Sequence, residues 1–212
     1  MAIVHSLNPI QFTGRVGDLV GYCRNGKYFV RKRPRRSRKK PTPLQLEQRA
    51  RFIIIVQFLK SLKPLFTAMQ PRHHWILDGL NRIRTYNYRY AITGSHPQFR
   101  IDYSSVMLSL GPLPNEETVS LDSPAPGRLM LKWNTGGYLV RCSHKDRVFG
   151  VAYCPSLRRW AFSLGVNARR DGFCKIEAPE FSGKKVHAWI SFVTLLGTTS
   201  DSKYVGEVVV CR

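Results

Sequence analysis

Gly111-Pro112-Leu113-Pro114-Asn115 separates two hydrophobic periods, and that change of period sets the predicted fold. Upstream, apolar residues recur at helical spacing. Thr42, Pro43 and Gln45 form an N-cap, a first-turn proline and the far end of a Thr-x-x-Gln capping box. Leu46, Ala50, Ile53, Val56, Leu59 and Leu62 then mark a helix stripe. Phe52, Ile55, Phe58 and Phe66 widen it, which predicts a well-buried helix limited by Pro64 and Pro71. A second helix is expected from about His74 to Ile92, with Ile76, Leu80, Ile83 and Asn87/Tyr90 inward and Gly94 as its C-terminal cap. The short connection favours antiparallel packing of the two.

Downstream, short apolar stretches alternate with Gly, Pro, Asn and Asp. The strand candidates are Ser104–Leu110, Thr118–Leu121, Arg128–Trp133, Arg147–Cys154, Arg159–Leu164, Phe173–Ile176, Val186–Leu195 and Val205–Val210. Such spacing predicts an antiparallel sandwich or barrel. The expected fold is therefore α+β, with a basic hairpin–helix–helix domain over 1–110 and a β-sandwich domain over 111–212. No internal repeat is visible.

The N-terminus reads as a β-hairpin. Val16–Arg24 and Lys27–Arg33 flank Asn25-Gly26, a pair that supplies the positive φ angles of a two-residue turn. Tyr28 and Val30 alternate with Lys27, Phe29 and Arg31 along the second strand. That strand runs into Arg31-Lys32-Arg33-Pro34-Arg35-Arg36-Ser37-Arg38-Lys39-Lys40, where eight of ten residues are Lys or Arg. Pro34 is expected to end the pairing, and Pro34, Pro41 and Pro43 keep the block extended.

The charge balance points to a partner class. The 212 residues carry a formal charge of +21, a self-repulsion that a bound polyanion relieves. Residues 1–110 hold 20 Lys and Arg against 4 Asp and Glu, and residues 111–212 hold 14 against 9, so the excess belongs to the first half. Arginine-rich segments gain binding free energy when phosphates release counterions, and arginine also stacks on bases. Arg31, Lys32, Arg33, Arg35, Arg36, Arg38, Lys39 and Lys40 are thus candidate nucleic-acid contacts. Arg82, Arg84 and Arg89, interleaved with Tyr86, Tyr88 and Tyr90, join them as a basic-aromatic helix segment. Some of those tyrosines must face the core. Arg158-Arg159 and Arg169-Arg170 read as ordinary surface charge, with a phosphate track across the second domain as the alternative.

Two resemblances accompany these residues. Gly14-Arg15-Val16-Gly17-Asp18-Leu19-Val20-Gly21, Gly26-Lys27-Tyr28-Phe29-Val30-Arg31, and Thr42-x-x-Gln45-x-x-Gln48-Arg49-Ala50-Arg51-Phe52 resemble an uncharacterised family of about 200 residues, widespread in Bacteroidota and their phages. Ala91-Ile92-Thr93-Gly94 and Ile101-Asp102-Tyr103-Ser104 look like its mid-chain signature. That family implies no activity, and its members are less densely basic at Arg31–Lys40. The C-terminal half resembles a fibronectin type III or immunoglobulin-like sandwich, on Trp133 ending an early strand and the late pair Ala188–Val193 and Ser202–Val210. Such modules imply binding or spacing rather than catalysis.

Chemistry-bearing motifs are sparse. Gly14-x-x-Gly17 lies in a hairpin rather than before a helix, and no Gly-x-x-x-x-Gly-Lys-Ser/Thr follows, so tight turns account for these glycines. His73, His74, Cys142, His144, Cys154 and Cys174 match no common zinc spacing. Asp78 and Asp102 have no partner at informative spacing. No catalytic residue, metal or cofactor is expected. Five widely spaced cysteines suit a reducing interior, no secretory leader or membrane span is visible, and a cytoplasmic location follows as the expectation. The expected function is non-enzymatic binding of DNA or RNA, chiefly through phosphate. The alternative is a structural or assembly protein, such as a phage-derived virion component or a ribonucleoprotein subunit, whose basic arm docks on nucleic acid or an acidic partner.

Overall fold

The computed structural model describes residues 2–7, 10–24, 26–35, 39–60, 62, 65, 73–136 and 142–212, with backbone alone at 2–7, 10–11 and 73–78. The fold is α+β, in two compact units, Met1–Thr42 and Pro43–Arg212.

Met1–Thr42 is a four-stranded antiparallel meander: β1 (Ala2–Leu7), β2 (Ile10–Val16), β3 (Leu19–Arg24) and β4 (Lys27–Lys32). The expected hairpin is its outer half, β3 and β4. Gly26 has φ +73°, the region such a turn needs, and Asn25 lies outside the described residues. The expected strand Val16–Arg24 is instead broken at Gly17-Asp18, where Val16 pairs with Leu19. Arg33 N–H donates to the Asp18 carbonyl at 2.7 Å, and pairing stops there, as Pro34 predicts.

Pro43–Arg212 begins with α1 (Pro43–Lys60) directly after Thr42, followed by α2 (His73–Tyr90). Two short strands, β5 (Ile92–Thr93) and β6 (Arg100–Ile101), pair next. Among the described residues the seven remaining strands form two sheets. β10 (Arg159–Ala168), β9 (Arg147–Cys154), β12 (Lys185–Val193) and β13 (Lys203–Val209) make one; β11 (Phe173–Glu177), β8 (Arg128–Trp133) and β7 (Val119–Ala125) make the other. All pairs are antiparallel. Three strands against four is the expected fibronectin III or immunoglobulin-like sandwich.

The alternation of side chains explains why β9 and β12 read as continuous apolar runs. Val148, Ala152, Cys154, Val186, Ala188, Ile190 and Phe192 meet Leu129, Leu131 and Ile176 of the facing sheet. Their neighbours Phe149, Val151, Tyr153, Trp189 and Val193 point to the opposite face, where Ile55, Phe58, Leu59, Leu62 and Ile83 cover them. Helices, four-stranded sheet and three-stranded sheet are therefore three layers of one unit. The division expected near Gly111 falls instead at Thr42/Pro43, because the helices bury their apolar stripe on the sandwich and so share its unit.

Four further expectations change. Leu44, Leu46, Phe52 and Ile53 of α1 are exposed. Apolar residues surround this helix, and one sheet covers only one stripe of it. Tyr90 is exposed whereas Asn87 is fully buried, its amide donating to the Ile83 and Met107 carbonyls at 2.9 and 2.6 Å and accepting from Met107 N–H at 2.9 Å. Ser104–Leu110 is not a strand: a 3-10 turn at Tyr103–Ser105, capped by Asp102, opens it. Side chains then take its amides, Asn87 at Met107 and Ser202 at Leu108, so no ladder forms. Gly94 follows β5 rather than capping α2.

Candidate functional site

Directly opposed residues of an antiparallel ladder project to the same face. The register Arg15↔Val20, Val20↔Arg31, Tyr22↔Phe29 and Arg24↔Lys27 therefore gathers Arg15, Arg24, Lys27 and Arg31 around two aromatic rings. Tyr22 and Phe29 stack with centroids 5.5 Å apart and planes 20° apart, and they are 40% and 42% exposed. The Arg31 guanidinium lies 5.7 Å from the Tyr22 centroid, within cation–π range. All four cations are exposed.

The other face is mainly apolar, with Lys32 at its edge. Phe12 is buried against Gly21, and a Cβ at Gly21 would sit 2.4 Å from the Phe12 carbonyl oxygen and 2.7 Å from its ring. Glycine is what allows that approach. Val16, Leu19 and Val30 share this side and remain exposed. Across residues 1–42 there are eleven Lys and Arg and one carboxylate, Asp18, so almost nothing neutralises the cations within the unit.

The expected contact residues divide accordingly. Arg31 joins the basic-aromatic face, while Lys32, one residue on, turns to the opposite side. Arg33, Arg35, Lys39 and Lys40 are exposed beyond the sheet. Arg36 and Arg38 lie outside the described residues. On α2, Arg82 and Arg89 are exposed on one stripe with Tyr86, whose ring meets Tyr90 at 4.8 Å. Arg84 points elsewhere, half-buried, and donates to Asn81 Oδ1 at 3.4 Å. Tyr88 is covered by the Arg51 guanidinium at 5.3 Å. Sequence reasoning missed Arg15, Tyr22, Arg24, Lys27 and Phe29. Their signal was the period-two alternation of β2, β3 and β4, which places them on one face once the register is known.

Arg169 is not surface charge. Its side chain is 5% exposed, donates to Glu116 Oε1 at 2.6 Å and to the Pro114 carbonyl at 2.9 Å, and lies 3.5 Å from Asp146 Oδ2. Its guanidinium covers the Phe192 ring at 3.8 Å, and Trp133 Nε1–H donates to its carbonyl at 2.9 Å. Arg169 thus neutralises two buried carboxylates and cannot serve a phosphate track. Arg159 pairs with Glu180.

Elsewhere the titratable groups have local duties. The Asp102 carboxylate accepts hydrogen bonds from Ser104 and Ser105, which hold its pKa below the ordinary value. His187 stacks on Tyr103 at 4.3 Å and shares a 2.9 Å hydrogen bond with the Tyr204 hydroxyl; burial pushes its pKa down, against the pull of Glu207. Among the described residues no three His, Cys, Asp or Glu converge as a metal set, and no helix is long and apolar enough to cross a membrane.

Fold and site together define a two-unit protein, a basic-aromatic antiparallel meander followed by a helix-backed β-sandwich. Residues 11–206 match the model of DUF6266, a family of unknown function, and the chain belongs to that family. No curated protein matches it. Among solved structures it is similar to the fn3 domain of human collagen alpha-1(XX) chain, at 13% identity and a TM-score of 0.33, over 47% of this chain and 88% of that one.

Proposed function

We propose that this protein is a non-enzymatic nucleic-acid-binding protein that takes unpaired bases and backbone phosphates on the exposed face of β2–β4 and the basic segment that follows. The observation that carries the reading is the grouping of Arg15, Arg24, Lys27 and Arg31 around the exposed Tyr22–Phe29 stack. Aromatic platforms stack on any base, whereas phosphates bind the surrounding cations, so this surface suits single strands with low sequence preference. Arg33, Arg35, Lys39 and Lys40 extend the positive track beyond the last strand. Duplex reading by an inserted helix finds no support among the described residues of the block, 31–35 and 39–40, which are not helical.

Fluorescence anisotropy with labelled single-stranded and duplex oligonucleotides at about 50 mM salt tests this directly. Single strands are expected to bind more tightly, and Arg24→Ala/Lys27→Ala/Arg31→Ala to weaken both. Absence of binding to every oligonucleotide would sink the reading.

A second reading, an assembly component whose basic arm docks on packaged nucleic acid or an acidic partner, is favoured by the exposed Val16, Leu19 and Val30 on the reverse face. It predicts that the native protein co-purifies with a defined particle.

A further inference from the structure

The Pro43–Arg212 unit contains a cavity of about 480 Å³ between α1, the Phe99–Tyr103 segment and the β9–β10 hairpin. That is the size of a small-ligand site. Its wall is aromatic. Phe58, Tyr153 and Trp160 are in mutual contact, with centroids 5.1 Å apart for Phe58–Tyr153, 5.0 Å for Phe58–Trp160 and 4.5 Å for Tyr153–Trp160. Tyr103 joins them 5.5 Å from Tyr153. Arg100 and Arg158 also line the cavity, both exposed, and no carboxylate does.

Two features of this lining carry a local cost. Trp160 Nε1–H is buried with no acceptor among the described residues, although indole nitrogen is only a donor. Arg158 has φ +52°, the left-handed conformation that glycine adopts without strain and a residue with a Cβ seldom does. It closes the β9–β10 turn, where its N–H donates to the Pro155 carbonyl at 3.3 Å. Backbone strain of this kind clusters at ligand sites, and here it falls on an arginine that lines an aromatic cavity. Its charge also reaches the phenols, drawing the Tyr103 and Tyr153 pKa values down against the burial that raises both, Tyr153 to about 12. Both phenols therefore stay protonated donors at neutral pH.

We infer that this cavity is a nucleotide site, in which the base lies against the Tyr103–Tyr153–Trp160 wall and the phosphate meets Arg158 and Arg100. Two guanidinium groups exclude a cationic guest, which an aromatic cage alone would accept. A neutral apolar guest makes no use of the two guanidinium groups at the rim. A nucleotide supplies a planar ring for the aromatic wall and a dianion for the two guanidinium groups at once. The ligand is either a free nucleoside monophosphate or one nucleotide unit of a single strand. The site uses none of the residues of the β2–β4 face, so it stands or falls independently of the reading above.

Calorimetric titration of the full chain with the four nucleoside 5′-monophosphates, their nucleosides, inorganic phosphate and 5′-phosphorylated dinucleotides tests the site. At least one monophosphate is expected to bind about tenfold or more tightly than its nucleoside and than phosphate, the size of one charge-assisted contact. Arg158→Gly is expected to abolish that advantage while leaving the thermal midpoint unchanged or raised, because glycine relieves the left-handed strain. Arg100→Ala weakens binding in the same direction. A dinucleotide that binds more tightly than its monophosphate assigns the site to a strand; equal affinity assigns it to the free nucleotide. Arg24→Ala/Lys27→Ala/Arg31→Ala leaves monophosphate affinity intact. The inference is overturned if no monophosphate binds better than phosphate, if Arg158→Gly keeps full affinity, or if the triple variant loses it.

Discussion

Tyr22 and Phe29 stand directly opposite each other on neighbouring strands and stack at 5.5 Å, with the Arg31 guanidinium 5.7 Å from the Tyr22 ring. Rings on a sheet surface normally contribute by covering apolar neighbours. Here the positions flanking them on the same face are Val20, Arg24, Lys27 and Arg31, with Arg15 opposite Val20, so the rings are left as an exposed platform inside a field of positive charge.

Platform and charge separate experimentally. Tyr22→Ala and Phe29→Ala are each expected to lower single-strand affinity by about 1–3 kcal/mol with the salt dependence intact, because stacking releases no counterions. Removing one of Arg24, Lys27 or Arg31 is expected to shrink the log–log salt slope by roughly 0.7. Anisotropy titrations across a salt series read both quantities from the same variants.

Arg169 is expected to matter for stability alone. Arg169→Ala leaves Glu116 and Asp146 buried without their cation, at a cost of about 3–5 kcal/mol. Adding Glu116→Gln removes one stranded charge and restores part of the loss. Urea unfolding midpoints of the two variants give the comparison.

Gly21→Ala drives a methyl group into the Phe12 carbonyl and ring. The expected penalty is about 1–3 kcal/mol, as for other overpacked sites. Amide exchange should speed up across β2 and β3, while protection in β9 and β12 is unchanged.

The pH dependence follows from His187. Burial holds its folded-state pKa below the ordinary 6.5, so the unfolded chain takes up the proton first as pH falls. The stability this neutral imidazole contributes is present above pH 6.5 and is lost as pH drops through the folded value. His187→Phe keeps a ring against Tyr103 and is expected to flatten the acid limb of thermal midpoint against pH below 6.5.

Strand positions in the sandwich were legible because β8 and β9 occupy the very ranges that their apolar runs and flanking turns suggest. The start of α1 was legible from Thr42-Pro43 for the same local reason. Which stripe of α1 is buried was not: Leu46 and Ile53 compete with Ile55, Phe58 and Leu59, and only the sheet decides. Asn87 and Arg169 were opaque because a polar residue is stable in a core only when distant partners, Met107 or Glu116, meet it. At the site, Arg31 was visible as charge, but its company with Tyr22 and Arg15 depends on strand register and on β2, whose break at Gly17-Asp18 the apolar pattern conceals.

Photo-crosslinking of a 5-bromouracil-substituted single strand, followed by mapping of the adducted peptides, tests the central claim most directly. Adducts are expected at Tyr22 or Phe29, and they should disappear in Tyr22→Ala/Phe29→Ala protein that retains its fold. Adducts confined to residues beyond Thr42, or unaffected by the double substitution, would contradict it.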